Sequence, residues 1–329
     1  MPSTTLITGG AGFIGSHLAH HLRAHSQRVL IIDDLSTGQL ANIEPLIGED
    51  CQFIEGSVSS VLREQPSLLD DVSHIYHLAA SVGVQLVVSD PARIIRNNID
   101  ETAVIIDAAR RVSASVLIAS SSEVYGKSDA LPLREDGDLL YGPTTGSRWS
   151  YAMSKAVDEH LALSYDAQMK QNNAQAGAVV VRLFNTIGPR QVGHYGMVVP
   201  RFVQAAVQGK PLTIYGDGLQ TRSFCDVRDV VKAMTLLLEN SANHGQIFNV
   251  GSDTEITIHA LADRVIALAQ SKSSKDVISF DQAYRPGFED PFRRRVPDVN
   301  KLKKATGWEA QWTLEATLKE LIEDAQRGR

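Results

Sequence analysis

Tyr151 and Lys155 stand four residues apart in a stretch, Trp149–Gln171, that reads as a helix. On a helix this spacing brings both side chains to one face. An ammonium beside a phenol favours the phenolate and lowers the phenol's pKa towards a useful range for a general base. Ser121, at the end of an apolar strand-like run, can share the proton with a substrate hydroxyl. The chemistry such a trio supports is removal of a proton from an alcohol, with the hydride leaving to an acceptor. A tyrosine and a lysine at this spacing also occur by chance on surface helices, so the surroundings must decide.

Those surroundings begin at Thr8, where Gly9, Gly12 and Gly15 follow a strand and open a helix. Glycines there let the backbone turn sharply and approach a pyrophosphate, which rests on the N–H groups of the helix N-terminus. Asp33 ends the second strand and follows Gly15 by 18 residues, close to the ~20 expected of a carboxylate that binds an adenosine ribose. A carboxylate at that position repels a 2′-phosphate, so NAD is favoured over NADP.

Positioning these residues requires an alternation of strands and helices. Thr4–Thr8, Arg28–Asp33, Cys51–Glu55, His74–Leu78 and Ser115–Ser120 read as strands rich in branched residues. Phe13–His25, Ser57–Asp70 and Pro91–Val112 carry helical periodicity between them. Such alternation calls for an α/β fold, a Rossmann-like doubly wound parallel sheet with helices on both faces. Ala178–Phe184 adds a strand. After about Asn185 the texture turns to Gly/Pro-punctuated loops with helices at Val199–Gln208, Val227–Glu239, Ile258–Gln270, Asp298–Ala305 and Leu314–Gln326. The expected organisation is a cofactor domain over 1–184 and a smaller α/β substrate lobe over 185–329, with a soft boundary that the chain crosses.

Composition agrees with an enzyme of small anionic ligands. A net charge of −6 over 329 residues gives no reason to expect nucleic acid or an anionic membrane. Any anionic ligand must then be held by a few placed arginines and backbone N–H groups. Cys51 and Cys225 are too few and too far apart for a disulfide framework or a metal cluster, and they suit a reducing compartment. With no secretory signal and no apolar run near the ~20 residues that span a bilayer, a cytoplasmic location is expected, and no metal.

The Gly9–Gly15 turn, the string Ser120–Gly126 and the Tyr151/Lys155 pair resemble the extended short-chain dehydrogenase/reductase family, in particular its NAD-dependent nucleotide-sugar epimerases and dehydratases. The resemblance implies a Ser–Tyr–Lys triad of Ser121, Tyr151 and Lys155, and an NAD that stays bound through the cycle. For cofactor binding it implies Gly9, Gly12, Phe13, Ile14, Gly15, Asp33, Leu78, Ala79, Ala80, Asn98, Tyr151 and Lys155. Ser57 stands where many relatives carry an Asp near the adenine. Phe184–Arg190 and Gly216–Arg222 resemble nucleotide-sugar-binding stretches. Carried over, Asn185 touches the diphosphate, Arg222 pairs with a phosphate or ribose, Tyr215 packs on the base, and Arg285 meets the nucleotide. Arg182 is a second candidate for a sugar carboxylate or a structural ion pair. The family further implies a homodimer built on the Pro91–Val112 and Trp149–Gln171 helices.

Three reactions share this framework, each beginning with hydride transfer from sugar C4. A 4,6-dehydratase looks for Asp-Glu before Val-Tyr-Gly, whereas this chain has Ser122-Glu123. A plain 4-epimerase carries small neutral residues there. Ser121–Gly126, Arg148–Tyr151, Gly287–Asp290 and Arg295–Asp298 are together similar to UDP-glucuronate decarboxylases, which implies Ser122, Glu123 and Arg295 as the residues flanking the sugar carboxylate. Oxidation at C4 makes a β-keto acid, which loses carbon dioxide without a base at C5. Decarboxylation of UDP-glucuronate to UDP-xylose is therefore expected, with a UDP-sugar 4-epimerase (of UDP-glucose or UDP-glucuronate) as the alternative. One departure is Ala152-Met153-Ser154 where decarboxylases often carry Asp-Glu-Gly. An NAD-binding regulator without turnover is disfavoured because Tyr151 and Lys155 are both intact.

Overall fold

The computed structural model describes residues 3–80, 90–193, 197–283 and 293–328. Six strands, β1 (Thr4–Thr8), β2 (Arg28–Asp33), β3 (Cys51–Glu55), β4 (Val72–His77), β5 (Ser115–Ser121) and β6 (Ala178–Leu183), form one sheet with a seventh, Gln246–Val250. Their order across the sheet is Gln246–Val250, β6, β5, β4, β1, β2, β3, and every pairing is parallel. The order reverses between β1 and β4, where the chain crosses from one wing of the sheet to the other. In a doubly wound sheet the crevice beyond the carboxyl ends of these strands is the natural ligand site.

The strands are near-continuous apolar runs because both faces are covered. One face buries Ile7, Ile31, Leu117, Val179 and Val181 against the Phe13–Ala24 and Val227–Leu238 helices. The other buries Leu6, Leu30, Ile75, Val116 and Val180 against the Pro91–Val112 and Trp149–Gln171 helices. A separate core of Val199, Phe202, Ile214, Leu261, Leu318 and Ile322 lies in the later part of the chain.

Most elements fall where their periodicity put them, and the differences have local causes. The expected Ser57–Asp70 helix stops at Glu64, because Pro66 cannot continue it, and resumes as a 3₁₀ turn over Pro66–Leu69. The β4 strand begins two residues earlier than expected and ends at His77. Residues 185–329 do not stand apart as one lobe. The Gln246–Val250 strand pairs with β6, and Val227–Leu238, Leu302 and Trp308 complete the core on the β1 side of the sheet.

Candidate active site

At the carboxyl ends of the strands lies a cavity of about 810 Å³ that runs from the glycine turn to Tyr215 and Phe280. Its floor at one end is the turn itself. Gly9 has φ +69°, and a Cβ there would meet the Ala79 backbone nitrogen at 2.8 Å. A Cβ on Gly15 would collide with the Gly9 carbonyl at 2.1 Å. Only glycine lets β1, the turn and the Phe13–Ala24 helix close up this tightly. Gly12 is the N-cap and supplies no side-chain cap, so the positive end of the helix is presented to the cavity, as a pyrophosphate requires.

Asp33 sits beside this turn with its carboxylate accepting from the Ala11 N–H at 2.9 Å and the Leu35 N–H at 2.9 Å. Burial pushes its pKa up, and these two donors oppose the shift. Phe13, Ile14, Ser57, Leu78, Ala79, Ala80 and Asn98 line the same end. Ser57 caps the Val58–Glu64 helix through the Ser60 N–H at 3.2 Å. Asn98 is buried and donates to Ser154 at 3.1 Å. A dinucleotide with an unphosphorylated ribose fits this donor and acceptor set.

The Trp149–Gln171 helix carries Tyr151 to the cavity wall and Lys155 into the protein behind it, where Lys155 is only 2 % exposed. Ser121 ends β5, accepts from the Glu123 N–H at 3.2 Å and lies in hydrogen-bonding reach of the Tyr151 hydroxyl. Burial first, then the Glu123 carboxylate, pushes the Tyr151 phenol well above its ordinary range. In the protein alone the phenol is therefore protonated at neutral pH. A positive charge next to it is needed to make it a base.

Ser122 and Glu123 open a 3₁₀ turn at the cavity. The Glu123 carboxylate lies between two guanidinium groups, 3.4 Å from Arg148 and 3.8 Å from Arg295. All three side chains are largely buried. The basic run splits cleanly: Arg293 pairs with Asp217 and Arg294 with Glu255 at the surface, while Arg295 turns into the cavity.

Asn185, Tyr215 and Arg222 line the far end. Asn185 donates to the Ser223 carbonyl at 3.0 Å, and Arg222 to the Thr221 carbonyl at 2.8 Å. Arg285 and the Gly287–Asp290 string lie outside the described residues.

Arg182 is a correction to its expected substrate role. It grips Glu159 through two hydrogen bonds of 2.9 and 2.8 Å, stacks 4.7 Å from the Tyr125 ring and does not line the cavity. Glu159 also accepts from Ser120 at 2.5 Å, so this buried group locks β5, β6 and the Trp149–Gln171 helix together.

Three cavity arginines have no role in the sequence reading. Arg148 precedes Tyr151 by three residues, one helical turn, which places them on a common face; that spacing and the Arg148–Tyr151 string were the available signals. Arg190 sits by His17 and Asn42 near the glycine turn, and Arg201 lies 4.3 Å over the Tyr215 ring. Arg190 closes the Phe184–Arg190 string, whereas Arg201 has no local motif beyond its type. Among the described residues there is no cluster of His, Cys, Asp or Glu able to hold a metal ion, and no helix is long and apolar enough to cross a membrane.

Comparison with known proteins agrees with this geometry. Residues 5–251 match the model of the NAD dependent epimerase/dehydratase family. A UDP-N-acetyl-alpha-D-glucosaminuronate decarboxylase of Bacillus cytotoxicus is 39% identical over 324 residues, covering 98% of this chain and 98% of that protein. UDP-glucuronic acid decarboxylase 1 of Danio rerio is 36% identical over 97% of this chain and 71% of its own length. Among solved structures, MoeE5 in complex with UDP-glucuronic acid and NAD superposes with a TM-score of 0.83 at 27% identity, covering 99% of this chain and 100% of that one. The UDP-glucose 4-epimerase of Thermotoga maritima, solved with UDP-glucose, gives 0.85 at 26%, covering 99% of each. The chain belongs to the NAD dependent epimerase/dehydratase family.

Proposed function

We propose that the protein decarboxylates a UDP-linked hexuronate, UDP-glucuronate or its 2-acetamido counterpart, through a transient 4-keto sugar. The observation that carries this reading is Glu123 held between Arg148 and Arg295, next to Ser121 and Tyr151. Two guanidinium groups beside one buried carboxylate leave positive charge to meet a second one, that of the sugar. The named decarboxylase relatives support the choice.

NAD, when bound, would supply the acceptor and later the source of the C4 hydride. Tyr151 takes the proton of the C4 hydroxyl, with Ser121 sharing it, and gives it back to the C4 oxygen when the carbonyl is reduced again. Lys155 stabilises the phenolate from behind. Arg148 and Arg295 orient the carboxylate, whose C–C bond breaks as its electrons drain into the C4 carbonyl. The enolate is then protonated by a water that Arg295 orients, the guanidinium itself staying charged throughout. Glu123 holds a ring hydroxyl and keeps the two arginines in place. Gly12 and the helix behind it would hold the pyrophosphate, Asp33 the adenosine ribose, and Asn185, Tyr215 and Arg222 the nucleotide of the sugar.

The reading includes a homodimer and a cytoplasmic home. Ile95, Met153 and Val157 are exposed on the two helices expected to pair, and both free thiols are buried.

Purified protein incubated with UDP-glucuronate, UDP-N-acetylglucosaminuronate and UDP-glucose should release carbon dioxide from at least one of the two uronates, with a matching loss of mass. The ratio of kcat/KM for the two identifies the preferred sugar. Tyr151→Phe should lower kcat by about 10²- to 10⁴-fold. A uronate product of unchanged mass would instead select epimerisation.

A further inference from the structure

The chemistry above leaves one buried charge beside the catalytic pair unused. Asp158 is 0 % exposed and its carboxylate lies 2.8 Å from the Lys155 ammonium, three residues earlier on the same helix. Taking both charges out of water is costly, and a surface residue would avoid it. Behind the carboxylate runs a chain of buried polar groups. Thr8 Oγ1 accepts from the Ala79 N–H at 3.2 Å and stands 2.8 Å from His77 Nδ1. His77 Nε2 is 3.1 Å from Thr102 Oγ1, and of the Asp158 carboxylate only Oδ2, the oxygen on Lys155, makes a hydrogen bond among the described residues.

Burial, and second the charge of Lys155, pushes the pKa of His77 down to about 3. The ring is therefore neutral, with one donor and one acceptor nitrogen. Its two nitrogens bridge the Thr8 and Thr102 hydroxyls, one donating and the other accepting, and this bridge starts at the residue before Gly9.

We infer that Asp158 is a positioning residue, which fixes Lys155 through their buried ion pair and screens its positive charge from Tyr151, so that the phenol holds its proton more tightly than the lysine alone would allow. The other charges around the pair have partners of their own: Glu159 is held by Arg182, and Glu123 by Arg148 and Arg295. Asp158 also contributes, after burial and Glu123, to keeping the phenol protonated.

This inference rests on Tyr151 being the base, and its test needs no substrate. Tyrosinate absorbance is followed against pH for each protein minus its Tyr151→Phe counterpart, with and without NAD. Asp158→Asn should move the Tyr151 titration down by about one pH unit or more. Asp158→Glu, which keeps the carboxylate, should stay near wild type. If the Asn variant is insoluble, Asp158→Ser gives the same reading, because it leaves room for a water beside Lys155. A titration that stays put or moves up, or a Glu variant that moves as far as Asn, overturns the inference. Failure to release carbon dioxide from any uronate would instead count against the proposed reaction, leaving the titration readable.

Discussion

Glu123 and its two arginines carry the choice of reaction at the scale of single residues. If Arg148 and Arg295 hold the sugar carboxylate, either one changed to Ala should lower kcat/KM for the uronate by about 10- to 100-fold, the equivalent of about 1.5–3 kcal/mol for a charge-assisted contact. Binding of UDP-glucose, measured by calorimetry, should be nearly unchanged. Equal losses for both sugars would place the arginines elsewhere in the mechanism. Types and spacing made much of this site readable: the three glycines, Asp33, and the tyrosine and lysine one turn apart. They could not separate Arg182 from Arg295. Both are arginines near family motifs, but a carboxylate on another element, Glu159, claims the first and leaves the second facing the cavity. Pairings between distant segments have no local signature.

Helices show the same division between local and distant information. Pro91–Val112 and Trp149–Gln171 begin and end where their patterns say, the first capped by Asp90. What joins one helix to another is invisible in such patterns. Asp226 caps the Val227–Leu238 helix, accepts two hydrogen bonds from the Arg228 guanidinium and one from Thr317 on the Leu314–Gln326 helix. Burial acts to raise its pKa, but these donors prevail and hold it below the ordinary value of 3.8. Its contribution is thus complete above pH ~4 and fades as pH falls through the lower folded value. Asp226→Asn should lower Tm at pH 7 and narrow its gap from wild type in strong acid; a gap constant with pH would refute the assignment. On the opposite side, Val157→Glu should turn a dimer into a monomer by light scattering if the exposed apolar residues of the two long helices meet a second copy. A variant that stays dimeric places the interface elsewhere.

At the scale of the whole molecule, the sheet order brings the glycine turn, the end of β5 and the catalytic helix to one rim, so that residues more than 100 positions apart share a cavity. The alternation of strands and helices announced this part of the fold. The second lobe was harder to delimit because the Gln246–Val250 strand returns to the first sheet, a pairing decided by packing across the molecule. The central claim is that C4 is oxidised before the carboxylate leaves and is reduced again afterwards by the same hydride, without exchange with solvent. UDP-glucuronate deuterated at C4, or its 2-acetamido analogue if that is the sugar turned over, tests this directly by mass spectrometry. The account predicts a product lighter by one carbon dioxide that keeps the deuterium at C4; a product of unchanged mass, or one whose label has gone to solvent, contradicts it.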